Sequence, residues 1–142
     1  MSTEQNGFTL EMAVRDYECD LQGVVNNAVY QNYLEHARHE YLKSIDIDFA
    51  ALAAQGINLV VTRVEIDYRL SLTSGDRFVV EVRPERLSKV RIGFRQDIRR
   101  LPDGREVVNA LVIGTALNAK GRPQLPKELD EALGLDGGSH LI

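Results

Sequence analysis

Tryptophan is absent from this chain of 142 residues, and cysteine occurs once. A single thiol, Cys19, cannot close an internal disulfide, which fits a reducing, cytoplasmic setting. No apolar run approaches the roughly 20 residues that a bilayer-crossing helix needs, so no membrane span is expected. The opening Met-Ser-Thr-Glu-Gln-Asn-Gly lacks the basic and then apolar order of a secretory leader, and none is expected. Basic excess is missing too: a net charge of -4 argues against nucleic acid as a partner. His36 and His39 stand three apart with no third ligand at a recognisable spacing, so no metal site is expected, and no cofactor motif is present. Nor does any His stand where it could activate Cys19, which is read as a small turn residue rather than a nucleophile.

Repeats, linkers and low-complexity tracts are also missing. With 44% hydrophobic and 27% charged residues, the chain reads as one globular domain over 1–142. Its core is expected over 8–133, with 1–7 and 134–142 loose.

What is present alternates between two periods. Residues 8–16 alternate apolar and polar, as a first strand does. From Asn27 the apolar positions Tyr30, Tyr33, Leu34, Ala37, Tyr41, Leu42 and Ile45 recur at spacings of three and four, the stripe of a long helix. Phe49, Leu52 and Ala53 share one side of a short helix that ends at Gly56. The period then switches to two. Val60, Thr62, Val64, Ile66, Tyr68, Leu70 and Leu72 are expected on one face of a long half-buried strand. A turn at 73–76 leads to Phe78, Val80 and Val82, and that strand can run past Pro84 only if the proline sits at an edge or bulge. A fourth strand is expected from Leu87 to Arg100, with Lys89, Arg91, Arg95 and Arg99 forming a basic row on its odd-numbered face. Residues 107–117 are apolar enough for a central strand, and a short helix is expected from Lys127 to Leu133. A helix on one face of an antiparallel sheet is an α+β layer solution.

Chemistry concentrates between Tyr17 and Arg38. Asn26 or Asn27 is a natural N-cap, so the helix is expected to begin within a residue or two of Asn27. A helix start gathers unpaired N–H donors and the positive end of the backbone dipole, which suits an oxygen becoming an oxyanion. Asp20 lies just upstream across a turn at Gly23. A carboxylate and fixed donors are the two parts that acyl transfer requires. An Asp in a turn and a plain Asn cap would leave the same sequence trace.

The pattern Asp20-x-x-Gly-Val-Val-x-x-x-x-Tyr30, followed by Tyr33-x-x-x-x-Arg38, resembles the active-site segment of hot-dog-fold thioesterases of the 4-hydroxybenzoyl-CoA thioesterase type. It is most similar to the plant acyl-lipid thioesterases, which share Arg-Asp-Tyr-Glu (15–18), Gly-Val-Val-Asn-Asn-Ala-Val-Tyr (23–30) and His-Glu (39–40). The resemblance runs from about Phe8 to Leu125. It implies a hot-dog fold, with the long central helix wrapped by a five-stranded antiparallel sheet. It further implies hydrolysis of acyl-CoA or acyl-ACP to free acid and thiol in fatty acid or polyketide metabolism. A homodimer or homotetramer is implied too, with sheets joined edge to edge and the site at the subunit junction.

Residue by residue, the resemblance makes Asp20 the catalytic acid, as general base or as nucleophile, and Asn27 the residue whose backbone N–H polarises the thioester carbonyl. Gly23, Val25 and Asn26 complete the substrate segment, and Lys89 and Arg91 match basic residues that meet the CoA nucleotide. Some polyketide-pathway relatives use a Tyr and an Arg at positions matching Tyr30 and Arg38, which makes those two further catalytic candidates. Each also has a structural reading: Tyr30 lies on the apolar stripe, and Arg38 can pair with Glu35 one turn earlier. The alternative function is a hot-dog module that binds an acyl group or acyl carrier without turnover. A hot-dog dehydratase fits less well, because no His stands in the turn or at the helix start.

Overall fold

The computed structural model describes residues 7–135. Five antiparallel strands form one sheet in the order β1-β3-β4-β5-β2: β1 is Phe8–Ala13, β2 Asn58–Tyr68, β3 Arg77–Arg86, β4 Ile92–Leu101 and β5 Glu106–Leu117. Three helices accompany it, α1 (Asn27–Ser44), α2 (Phe49–Ala54) and α3 (Lys127–Leu133). The long helix, the short one at Phe49 and the closing one therefore stand where the periodicity places them.

Helix α1 lies across the inner face of the sheet. Its stripe is buried from Tyr30 through Leu42, and Tyr33 packs on Phe78 of β3 with ring centroids 4.6 Å apart. Such a ring pair contributes about 0.5–1.5 kcal/mol beyond its buried area. At mid-helix the buried Gln96 of β4 donates from Nε2 to the Leu34 carbonyl at 2.9 Å. Pro84 meets the condition set for it: β1 stops opposite Val82, so among the described residues the edge of β3 where proline has no N–H to offer carries no strand partner there.

Two strand expectations are corrected. The strand after Gly56 ends at Tyr68, not Leu72, and a bulge leaves Thr62 unmatched between Val61↔Gly114 and Arg63↔Ile113. One extra residue swaps the side-chain parity. Leu59 and Val61, rather than Val60 and Thr62, therefore share the inner face with Val64, Ile66 and Tyr68. The fourth strand begins at Ile92, because Arg86↔Ile92 closes the β3–β4 hairpin and leaves residues 87–91 as its loop, with Leu87 N–H bonded to the Arg91 carbonyl at 3.0 Å. The basic row is thereby dissolved. Lys89 and Arg91 leave the sheet, while Arg95 contacts Glu85 at 2.8 Å and Arg99 contacts Glu81 at 3.3 Å.

At the far end, Gly134 takes the left-handed conformation that closes α3, and Leu135 packs on the core. The remaining residues expected to be loose, 1–6 and 136–142, lie outside the described residues.

Candidate active site

The segment before α1 folds into a small hairpin. Cys19 bridges Val25, Asp20 N–H donates to the Val24 carbonyl at 2.8 Å, and Gly23 N–H returns to the Asp20 carbonyl at 3.0 Å. Gly23 has φ +81°, a conformation that side-chain-bearing residues rarely adopt, so the turn needs glycine. Asp20 Oδ1 accepts from Gln22 N–H at 2.9 Å and Val24 N–H at 3.4 Å. Its second oxygen, Oδ2, accepts no bond among the described residues, and the side chain is exposed.

The helix start is just as economical. Asn26 is the cap: its Oδ1 accepts from Ala28 N–H at 3.0 Å, its carbonyl takes Val29 N–H at 2.9 Å, and its own N–H donates to the Glu18 carbonyl at 3.2 Å. That leaves the exposed Asn27 N–H with no acceptor among the described residues. It is a first-turn donor free to meet a developing oxyanion.

Two residues outside the candidate set hold this segment in place. Glu18 receives the Tyr33 hydroxyl at 2.8 Å as well as Arg15 N–H. Leu72 accepts Val25 N–H at 2.9 Å through its carbonyl and donates its own N–H to the Tyr30 hydroxyl at 2.9 Å. Val25 and Tyr30 are buried, so Val25 acts through its backbone and Tyr30 as an anchor for the 70–73 connection. Burial, only partly offset by the Leu72 N–H, holds the Tyr30 hydroxyl above its ordinary pKa. Tyr30→Phe strands the Leu72 N–H in the core, and a loss of about 1–3 kcal/mol in unfolding free energy is expected by urea denaturation. Partial burial and then the carboxylates of Asp16, Asp20, Glu18 and Asp76 raise Cys19, which keeps it a thiol and leaves it without the thiolate a nucleophile requires.

Not all the candidates come together in one copy. A cavity of about 810 Å³ lies between the C-terminal half of α1, helices α2 and α3, and the inner faces of β2, β4 and β5. Of the four catalytic candidates only Arg38 lines it. Arg38 sits eleven residues beyond Asn27, about 16 Å along the helix axis, so the two cannot serve one carbonyl within a single copy. Its Nη1 donates to Gln96 Oε1 at 3.0 Å rather than pairing with Glu35, and burial lowers its pKa from the ordinary arginine value. Gln96 was visible as the one polar residue among Val90, Ile92, Phe94 and Ile98, the even-numbered face of its strand. Lys89 and Arg91, exposed in the β3–β4 loop, stand at the cavity end of the sheet, about one strand length of 30 Å from the end where Tyr33 meets Phe78.

Residues 14–133 match the model of the thioesterase-like superfamily. The chain belongs to that family. This thioesterase is 40% identical over 143 residues to the acyl-acyl carrier protein thioesterase ATL2, chloroplastic, of Arabidopsis thaliana, with 99% of the chain and 76% of the relative covered. It is 43% identical over 114 residues to ATL3 of the same plant, covering 80% of the chain and 60% of that relative. The chain thus spans about three quarters and three fifths of these two proteins. Among solved structures, the 1,4-dihydroxy-2-naphthoyl-CoA thioesterase Slr0204 from Synechocystis superposes with a TM-score of 0.85 over 90% of this chain and 96% of its own. At 19% identity that likeness speaks to the fold. Among the described residues, no helix of this thioesterase is long and apolar enough to cross a membrane.

Proposed function

We propose that this thioesterase hydrolyses acyl-CoA or acyl-ACP thioesters to free acid and thiol, with Asp20 and the Asn27 N–H as its reacting groups. The observation that carries the reading is that Asp20 Oδ2 and Asn27 N–H, at the two ends of one hairpin-and-cap segment held by its own backbone bonds, each keep a free hydrogen-bonding position among the described residues. As general base, Asp20 takes a proton from water as the water oxygen attacks the carbonyl carbon. The carbonyl oxygen gains charge against Asn27 N–H and the positive end of α1, and collapse of the adduct expels the thiol, which leaves with a proton. As nucleophile, the Asp20 carboxylate instead attacks the carbonyl carbon, the C–S bond breaks to release the thiolate, which takes a proton from water, and water then cleaves the resulting mixed anhydride. Oxygen-18 appearing in Asp20 after a single turnover in labelled water marks the second route.

The same reading extends to a second copy pairing along β2. β2 is an outer strand, and its inner face leaves Val61, Val64 and Tyr68 exposed at 51%, 38% and 45%. Unpaired edges with apolar side chains attract another strand. The Tyr68 end of β2 lies by the start of α1, its ring 5.8 Å from Tyr30, while Asn58–Val61 line the cavity. Antiparallel pairing of the two β2 strands about a two-fold axis carries the Asp20–Asn27 segment of one copy toward the cavity and the Lys89–Arg91 loop of the other. The cavity then takes the acyl chain, and the basic loop takes the phosphates of CoA or the acidic face of a carrier protein. The lone thiol supports a reducing, cytoplasmic setting.

The test is thiol release from a panel of acyl-CoA and acyl-ACP thioesters. Saturable hydrolysis of at least one is expected. Saturable binding of the whole panel without free thiol would instead establish the acyl-binding module, a reading that draws on Asp20 Oδ1 capping its own turn.

A further inference from the structure

The reaction leaves Arg38 unexplained. Strand arginines elsewhere have carboxylates: Arg83 meets Asp97 at 3.5 Å, Arg95 meets Glu85 at 2.8 Å and Arg99 meets Glu81 at 3.3 Å. Arg38, on the inner side, contacts no carboxylate within ion-pair distance among the described residues; its partner is the neutral amide of Gln96. The Gln96 Nε2 bond to the Leu34 carbonyl turns Oε1 toward the guanidinium, and this bond docks helix to sheet. The guanidinium meanwhile shares the cavity wall with Leu42, Ile92, Phe94 and Val112, and with Glu35 one turn earlier, whose charge reaches it without ion-pair contact. A cation desolvated among apolar groups is costly unless an acceptor answers it, and four of the five N–H donors of its fork are not used by Gln96.

We propose that Arg38 is a specificity residue that recognises an acceptor oxygen on the acyl group in this cavity. The protein then favours acyl chains carrying a second polar function, a carboxylate above a hydroxyl, over plain hydrocarbon chains. The proposal rests on reading the cavity as the acyl site. A fork of donors on an apolar wall gains most from a planar anion, less from a hydroxyl, and nothing from a methyl end.

The experiment titrates thioether analogues of acyl-CoA, which cannot be hydrolysed, into the full-length protein by calorimetry. Three series of matched lengths end in a carboxylate, a hydroxyl or a methyl group. At the best length the carboxylate analogue is expected to bind at least about tenfold more tightly than the methyl one, with the hydroxyl between them. Arg38→Met is expected to bring the carboxylate-to-methyl ratio to within about twofold of unity, and Arg38→Lys, which keeps the charge without the fork, to retain part of it. Equal binding of carboxylate and methyl series by the wild-type protein at every length overturns the proposal, and so does a preference that survives in Arg38→Met. Should Arg38→Met not fold, the wild-type series and Arg38→Lys still decide. Because no analogue is turned over, an absence of thiol release in the panel above removes the hydrolase reading alone and leaves these ratios measurable.

Discussion

Asp20→Asn is expected to lower kcat on the best thioester by at least about a hundredfold, the usual contribution of a positioned base or more. The fold is expected to survive, because an amide oxygen can still accept from Gln22 N–H and Val24 N–H, the two bonds that Asp20 Oδ1 makes. What the substitution removes is the basicity of the other oxygen, which is the one facing solvent. KM should therefore change little while kcat falls, the signature of an interaction used only on the way to the transition state. Thiol-release kinetics with an unfolding curve on the same sample check both parts. Near-normal turnover in a folded Asp20→Asn protein would move the reaction to the Tyr30 and Arg38 candidates.

Mixing two inactive variants should restore activity. Asp20→Asn removes the base but leaves the cavity whole. Ala53→Trp, on the exposed side of α2 where it borders the cavity, blocks the cavity but leaves Asp20 whole. If β2 pairing sets the hairpin of one copy over the cavity of the other, a mixed dimer has one complete site, formed by the Asp20 of the Ala53→Trp chain and the cavity of the Asp20→Asn chain. Random reassortment makes half of the dimers mixed, so about a quarter of wild-type activity is expected from two preparations that show almost none alone. Should the site belong to a single chain, the mixture stays as inactive as its parts. Light scattering on the same samples reports the dimer, and Val64→Lys on the exposed edge is expected to shift it toward monomer together with loss of activity.

The parts of the fold that were legible in sequence have a period that one chain can display. The α1 stripe from Tyr30 to Leu42 is read directly, since burying one face of a long helix leaves few alternatives for those positions. Gly23 is equally plain as the residue suited to φ +81°, while the cap was legible only as Asn26 or Asn27, either able to accept from free N–H groups, and the structure selects Asn26. Strand limits were less legible. Apolar alternation ran on through the 87–91 loop and through Leu70–Leu72, because a turn that happens to alternate carries the same signal as a strand. The bulge at Thr62 has no sequence signature, since it arises from pairing with β5.

For the site, the sequence singled out Asp20, Asn27 and the turn between them, because capping and turn chemistry act over a few neighbouring residues. It also carried the helix stripe and the family likeness. Tertiary structure alone decided that Tyr30 serves Leu72, that Gln96 rather than Glu35 holds Arg38, and that the cavity is lined by the C-terminal half of α1, away from the helix start that Asp20 precedes. Those relations join residues tens of positions apart, and their energies depend on which side chain is desolvated beside which, a quantity that local spacing does not contain.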